Sequence, residues 1–400
     1  MHKINKKNCL IITPKKHTGG AERVAAYLSR LLSDRAKVNV ISFYDSDKED
    51  YKYYGDISEL NLSLRGSLYN RAVSFLKSVF YVARFKKKHN IDISISFIGN
   101  PNIVNLITSK YSVCIPSVRT YIRKPNSRIK RLLQKIIIKY LYKRADTIVA
   151  VSHGVKNDLV DNYNIEKEKI KVIYPFHDIE FIRRKMLEPI NENIKAIFKK
   201  PVIITVGRLA YDKGQWQLIR AFDIVKEHNP DVNLVILGRG DLETELKKVA
   251  SLSPHHKDIH FIGHKSNPYK YINHSTVFAF PSLIEGFGNA VIEAMACRKA
   301  IVASDCDVGP REIIAGADSR DKAKDIEFHD AGVLVPVGKG VFSKNKEKLT
   351  EEEEILAAAL VRLLKDEKRR KAMEESALER AKMFDKKIIS KEWLDLINDH

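Results

Sequence analysis

Short apolar runs alternate along the chain with longer stretches in which apolar residues recur every three or four positions. The short runs predict strands at Asn8–Ile12, Lys37–Phe43, Ile93–Phe97, Tyr111–Ile115, Thr147–Val151 and Lys171–Ile173. A second series starts at Val202–Val206 and continues through Val232–Leu237, Ile259–Ile262, Val277–Phe280, Ala300–Ser304 and Gly332–Val335. Helical spacing fills the intervals at Ala21–Leu32, Trp216–His228, Leu242–Ser251 and Ala290–Ala296. It also predicts Glu351–Leu364, with Thr350 as its N-cap and acids in its first turn. Strands separated by helices mean mostly parallel sheets covered on both faces. The expected architecture is α/β: two doubly wound domains facing across a cleft, residues 1–181 and 201–385. A polar, Lys-rich linker is expected over 182–200, and a C-terminal helix, 386–400, is expected to return to the first domain. No repeat of 20–50 residues is visible.

Composition narrows the class. The chain has 400 residues and a formal net charge of +20, with 44% hydrophobic content, which is ample for packed cores and unlike a disordered chain. Four scattered cysteines, Cys9, Cys114, Cys297 and Cys306, form no CxxC pair and have no metal-ligand spacing. The basic start is followed by an apolar stretch, Cys9–Ile12, too short for a signal-peptide core. No run approaches the roughly 18 apolar residues of a membrane-spanning helix. A cytoplasmic protein with reduced thiols is therefore expected.

The charge is uneven. Residues 1–180 hold 33 Lys and Arg against 16 Asp and Glu, whereas residues 181–400 hold 37 against 34. Two acid-free stretches, 65–91 and 119–145, interleave basic residues with apolar ones at helical spacing. Charge alone does not separate a solvated basic face from contact with anionic lipid or with nucleic acid.

Three loops that follow strands carry candidate chemistry, where ligands bind in open α/β sheets. After Phe280 comes Pro281-Ser282-Leu283-Ile284-Glu285-Gly286-Phe287-Gly288-Asn289-Ala290-Val291-Ile292-Glu293. Its glycines let backbone amides approach a ligand, and the new helix offers free N–H groups to an anion. Glu285 and Glu293 are acceptors for hydroxyls. After Val206, the loop Gly207–Gly214 carries Arg208 and Lys213, a planar donor fork and a point charge that together suit a diphosphate. After the first strand, Thr18-Gly19-Gly20-Ala21-Glu22 sets a second helix start. Each of these alone is equally consistent with an ordinary strand–turn–helix connection or exposed loop cations.

Together they resemble the family 4 glycosyltransferases of the GT-B fold, the group that includes many bacterial capsule, O-antigen and lipid-linked oligosaccharide transferases. The resemblance runs over nearly the whole chain. It takes in GGAER at 19–23, VSHGVKNDL at 151–159, VGRLAYDKG at 206–214, LGRGDLETEL at 237–246, FIGH at 261–264, PSLIEGFGNAVIEAMA at 281–296 and DVGPREII at 307–314. It implies two Rossmann-like domains and a retaining transferase that draws on a nucleotide-sugar donor, with UDP favoured. It also implies roles at matching positions. Arg208 and Lys213 would hold the donor diphosphate with the amides of Gly288, Asn289 and Ala290. Glu293 would bind the ribose and Glu285 the transferred sugar, within a loop that includes Gly286 and Phe287. Ile262, Gly263 and His264 would cradle the base beside Gly238, and Gly20 would meet the phosphates from the first domain.

Positioned cations aimed at the leaving diphosphate can replace a metal ion, and no Asp-x-Asp motif stands in a suitable loop. Neither metal nor cofactor is therefore expected. The expected acceptor is a lipid-linked saccharide, met at the inner face of the cell membrane through 65–91 and 119–145, with no nucleic acid as partner. Departures from the family pattern fall at Arg119, in a Ser-x-Arg sequence where many relatives carry His or Asp, and at Tyr174–His177, where Asn-Pro is usual. Arg119 is a candidate near the reacting sugar and His153 a second one. The stretch 318–330 reads as a polar insertion without a role. Two alternatives remain open at this stage: a GT-B sugar-nucleotide epimerase, which the paired glutamates oppose, and a basic nucleic-acid-binding protein, which leaves those glutamates unexplained.

Overall fold

A computed structural model of the chain describes residues 7–15, 19–44, 51–62, 67–122, 127–316, 321–339, 342 and 348–400. Thr18, Arg65 and the 318–320 part of the expected insertion lie outside them, as do residues 123–126 of the second basic stretch. The chain divides into two compact units, residues 1–176 with 386–400, and residues 177–385.

Among the described residues, unit 1 has seven strands: β1 (Asn8–Thr13), β2 (Lys37–Ser42), β3 (Asp56–Glu59), β4 (Ile93–Phe97), β5 (Val113–Val118), β6 (Ile148–Ala150) and β7 (Ile170–Val172). They form one parallel sheet in the order β3-β2-β1-β4-β5-β6-β7, so the order reverses between β1 and β4. Helices α1 (Gly20–Ser33), α2 (Leu68–Lys88), α3 (Gly99–Ile107), α4 (Arg128–Tyr142) and α5 (His153–Tyr163) connect them. Alternate residues of each strand face opposite ways. Cys9, Ile11, Val38 and Val40 pack in one core with α1, and Leu10, Ile12 and Ile41 pack in a second core with Val82 of α2 and Val104 of α3.

In unit 2, the helices α6 (Ile179–Lys185) and α7 (Glu192–Lys195) precede β8 (Val202–Val206), α8 (Gln215–His228), β9 (Asn233–Leu237), α9 (Glu243–Ser251) and β10 (Ile259–Gly263). Then come α10 (Tyr269–Asn273), β11 (Val277–Phe280), α11 (Asn289–Ala296), β12 (Ala300–Ser304), α12 (Pro310–Ile314), β13 (Glu327–His329) and β14 (Gly332–Val335). Helices α13 (Glu351–Lys365), α14 (Glu367–Lys382) and α15 (Lys386–Asn398) close the chain. The sheet order is β10-β9-β8-β11-β12-β14-β13, reversing between β8 and β11. Thr350 caps α13 as expected: its hydroxyl accepts from the Glu353 N–H at 3.3 Å, and Glu353 reaches back to the Thr350 N–H at 2.9 Å. Helix α15 belongs to unit 1, where Ile389, Trp393, Leu396 and Ile397 complete the α1-side core.

Four expectations change. The strand expected at Tyr111–Ile115 runs Val113–Val118, because Ser109–Tyr111 form a tight turn. Pro116 is tolerated there because pairing with β6 begins only at Ser117. Strands β3 and β13 escape the hydrophobic pattern because they are polar edge strands, and β13 runs antiparallel to its neighbour. The stretch 182–200 is built into unit 2 instead of bridging freely. Asn267 donates to the Lys185 carbonyl at 2.8 Å, Lys270 to that of Pro189 at 2.9 Å and Asn233 to that of Ile197 at 2.8 Å.

Candidate functional site

The carboxyl end of the unit 2 sheet gathers most of the residues singled out above. The loop after β8 and the loop after β11 leave from neighbouring strands at the point where strand order reverses, so a crevice opens between them. They are tied directly, since the Asp212 carbonyl accepts from the Leu283 N–H at 2.9 Å and the Ile284 N–H at 3.3 Å. Gly214 makes the approach feasible. Its φ is +60°, and a Cβ there would stand 2.1 Å from the Pro281 carbonyl oxygen.

This stitching sets the charges. Lys213 Nζ donates to Glu285 Oε1 at 2.6 Å, and the Glu285 side chain is only 10% exposed. Arg208 Nη2 contacts Asp212 Oδ1 at 3.3 Å, while its side chain stays 66% exposed. Lys213 also lies 3.7 Å from Asp212. The result is a chain of alternating charges, Arg208–Asp212–Lys213–Glu285, drawn from two loops. Asp212 is the member that sequence reading passed over, although it sits inside the Val206–Gly214 motif.

Immediately beyond, Gly288 turns left-handed at φ +97° and opens α11, so the first amides of that helix, from Asn289 and Ala290, begin without intrahelical partners. Asn289 Oδ1 is buried with no hydrogen bond to the protein. Phe287 is buried against Phe384, their rings 5.7 Å apart and edge to face, which fixes the loop between Gly286 and Gly288. Glu293 lies half-buried in the second turn of α11. On the other flank the loops after β8, β9 and β10 lie side by side. Gly207 N–H donates to the Leu237 carbonyl, Gly238 N–H to that of Gly263 at 3.1 Å and Leu209 N–H to that of Arg239 at 3.1 Å. Ile262 and Gly263 end β10 next to Gly238, with His264 exposed beyond them.

The 307–314 motif braces this edge from behind. Buried Arg311 donates to Asp305 at 2.7 Å and to Glu327 of β13 at 2.8 Å. Asp305 also accepts from the Ala323 N–H at 2.8 Å, and Lys322 donates to the Asp305 and Cys306 carbonyls. The described part of the supposed insertion, from residue 321 on, is thus a strut for the loop after β12. Burial pushes the Cys306 thiol well above its ordinary pKa, which leaves it a neutral packing group.

Unit 1 holds the remaining candidates. Gly20 is the first residue of α1, and Glu22, in the same first turn, is buried, which raises its carboxyl pKa against the opposing pull of its backbone amide and Lys15. Arg119 directly follows β5 and is 7% exposed. Burial, and then the nearby Arg23 guanidinium, bring its pKa down from 12.5 to about 9, and Nη1 has no hydrogen-bond partner. His153 instead opens α5 as an exposed ring 6.5 Å from that of Tyr174. Of the two, Arg119 is the buried group.

Comparison with known proteins gives the family. The glycosyl transferases group 1 model matches residues 188–327, and the Glycosyltransferase Family 4 model matches residues 18–181. An uncharacterized glycosyltransferase of Methanocaldococcus jannaschii is 36% identical over 274 residues, 66% of this chain and 67% of that protein. A Campylobacter jejuni protein is 33% identical over 388 residues, 94% of this chain and 95% of its own length. Its name is N-acetylgalactosamine-N,N'-diacetylbacillosaminyl-diphospho-undecaprenol 4-alpha-N-acetylgalactosaminyltransferase. Among solved structures, Anabaena Alr3699/HepE in complex with UDP aligns with a TM-score of 0.75 at 18% identity, covering 98% of this chain and all of that one, a likeness of fold. The chain belongs to the family 4 glycosyltransferases and has their GT-B fold of two Rossmann-like units.

Proposed function

We propose that this glycosyltransferase moves a sugar from a UDP-sugar to a saccharide carried on a lipid diphosphate, with retention of anomeric configuration and no metal ion, in assembling a cell-surface polysaccharide. The observation that carries the reading is the Lys213–Glu285 pair at 2.6 Å beside Arg208–Asp212, at the switch point of the unit 2 sheet and next to the α11 N-terminus. Two cations and a helix N-terminus suit a leaving diphosphate, whose charge grows as the glycosyl–phosphate bond breaks. Their own acids keep the cations in place before the donor arrives. When phosphate oxygens take over Lys213, Glu285 is released to accept from hydroxyls of the transferred sugar, and Glu293 serves the ribose. The acceptor hydroxyl oxygen bonds to the sugar's anomeric carbon on the face the diphosphate leaves, and its proton passes to a leaving phosphate oxygen. In unit 1, Arg119 and the start of α1 at Gly20 offer a further seat for an oxyanion.

The relatives' names support the lipid-linked acceptor. Two Campylobacter jejuni relatives, 33% and 26% identical, are both named as N-acetylgalactosaminyltransferases with diphospho-undecaprenol in the substrate name. Surface chemistry supports a membrane partner. No helix among the described residues is long and apolar enough to cross a membrane. Yet α4 exposes Ile129, Leu132, Leu133, Ile136, Ile137 and Tyr140, a single stripe at helical spacing, between Arg131, Lys135 and Lys139. Such a helix lies in the headgroup region of an anionic membrane. In the other basic stretch Lys86 is buried, while Tyr69, Leu76 and Phe80 of α2 are exposed and add a second apolar contact.

The test is transfer from UDP-N-acetylgalactosamine to a synthetic diphosphate-linked saccharide on a short polyprenol, with and without EDTA, the product linkage read by NMR. Transfer with an α-linkage that survives EDTA is expected. A β-linked product, or activity abolished by EDTA and restored by a divalent ion, would defeat the retaining or the metal-free part of the reading.

A further inference from the structure

Unit 1 contains a cavity of about 420 Å³ between α2 and the β2–β3 edge of its sheet, apart from the loops at the carboxyl ends of the strands. Its floor comes from one face of the edge strand β3 and its neighbour β2. Asn39 of β2 stands in register with Asp56 of β3, and Ser58 follows two residues on. Its wall is one face of α2, with Tyr81, Arg84, Phe85, Lys88 and His89 at helical spacing. Three of these form a ladder of rings: Tyr81 stacks on Phe85 at 6.1 Å, and Phe85 on His89 at 4.2 Å.

The floor is the informative part. Asn39 is 1% exposed, and neither its amide nitrogen nor its amide oxygen has a hydrogen-bond partner in the protein. A buried amide with both ends unmet forfeits the hydrogen bonds it made to water, so a strand core position would normally carry Val or Ile. Its neighbours along that face, Ile41 and, on β1, Leu10 and Ile12, are apolar core residues. The chain has instead placed a donor and an acceptor side by side at the bottom of a cavity. An exposed carboxylate and a hydroxyl flank them, and two cations stand on the rim.

We propose that this cavity binds an anionic sugar. Adjacent ring hydroxyls are each both donor and acceptor, which matches the Asn39 amide together with Asp56 and Ser58. The C–H face of a sugar ring packs on aromatic rings, here Tyr81 and Phe85. Arg84 and Lys88 then meet the charge, a phosphate or a carboxylate on that sugar. The volume falls within the range of small-molecule sites and accommodates one charged monosaccharide unit. Helix α2 thereby spends two of its basic residues on a ligand of its own, and not on a membrane.

The test is calorimetric titration of the full chain with N-acetylglucosamine 1-phosphate, a glucuronate-terminated disaccharide, N-acetylglucosamine and inorganic phosphate. The same series is repeated on an Arg208→Ala/Lys213→Ala variant, which disables the unit 2 site. One of the two charged saccharides should bind both proteins equally and at least tenfold more tightly than the neutral sugar or inorganic phosphate. Whichever of them binds identifies the charge as phosphate or carboxylate. Arg84→Ala/Lys88→Ala, two exposed positions, should weaken binding at least tenfold, and so should Asn39→Ala, which removes only unmet polar atoms and keeps the fold. The proposal is overturned by the absence of binding at millimolar ligand or by binding lost in the Arg208/Lys213 variant. Equal affinity for inorganic phosphate, or indifference to Asn39→Ala, overturns it as well.

Discussion

The two units share an architecture and differ in how they treat positive charge. Unit 1 carries 36 Lys and Arg against 17 Asp and Glu, a net of +19, whereas unit 2 carries 34 against 33. In unit 2 the cations of the site sit on acids of the same unit: Arg208 on Asp212, Lys213 on Glu285 and Arg311 on Asp305. In unit 1, Arg119 is buried beside another guanidinium, and α4 contains no acid along its length. A cation already held by a carboxylate is pre-positioned and is released to a ligand by exchange. One without a carboxylate raises the energy of the empty protein until an anion arrives. The same residue type therefore does opposite things to stability in the two halves.

Breaking the paired side should have the largest effects. Lys213→Ala or Glu285→Ala should lower kcat for sugar transfer by about 10²–10³-fold, the usual loss when one preorganised charge is removed, with little change in the melting temperature. Arg208→Ala, more exposed, should show a smaller loss that falls mainly on KM for the donor. An effect on thermal stability alone would show the charge chain to be only a scaffold. Next comes the brace: Arg311→Met takes the guanidinium from buried Asp305, leaving it the Ala323 N–H and Lys322 at 3.6 Å, and should cost about 3 kcal/mol in urea unfolding of unit 2.

The unpaired side sharpens the contrast. Neutralising Lys135 and Lys139 together with Ile136→Ser on α4 should weaken sedimentation with phosphatidylglycerol vesicles about tenfold, and unchanged binding would leave α4 as a solvated face. Arg119→Met should do what Arg311→Met does not and raise the melting temperature by a few degrees. At pH 7 the Arg119 guanidinium, with a folded pKa near 9, is charged both folded and unfolded, so its burial cost is present in full. A fall in stability would mean that the charge is compensated after all.

Lys86 gives the smallest and most specific signal. It donates to Asn105 at 2.7 Å in the interior, and burial lowers its pKa from 10.5 to about 8. Between those values the unfolded chain binds the extra proton, so unit 1 should gain stability as pH rises from about 8 to 10.5. Lys86→Met should flatten that slope in pH-dependent melting.

The regular strands and helices were legible because burial leaves a periodic trace: Ile93–Phe97, Val202–Val206, Val277–Phe280 and Ala300–Ser304 form at the predicted residues. The edge strands β3 and β13 left no such trace, since each has solvent on one side and draws its order from a neighbour's backbone. The motif loops were legible as loops between strand and helix, but their mutual contacts were not. Nothing in the order of residues says that Lys213 meets Glu285 across 72 positions, or that Asp212 holds both loops and Arg208.

By itself, then, the sequence determined the family, the alternation of strand and helix, and the excess of charge in the first half. These follow from residue types and short-range spacing. Tertiary structure decided which cations are paired, that Arg119 is buried while Arg208 is exposed, and that Arg84 and Lys88 border a cavity floored by Asn39. It also absorbed the stretch 182–200 into unit 2. The physical reason is range. Periodicity records how a segment meets water or core, whereas the energy of a charge depends on which distant carboxylate, backbone or neighbouring cation the fold brings within a few ångströms.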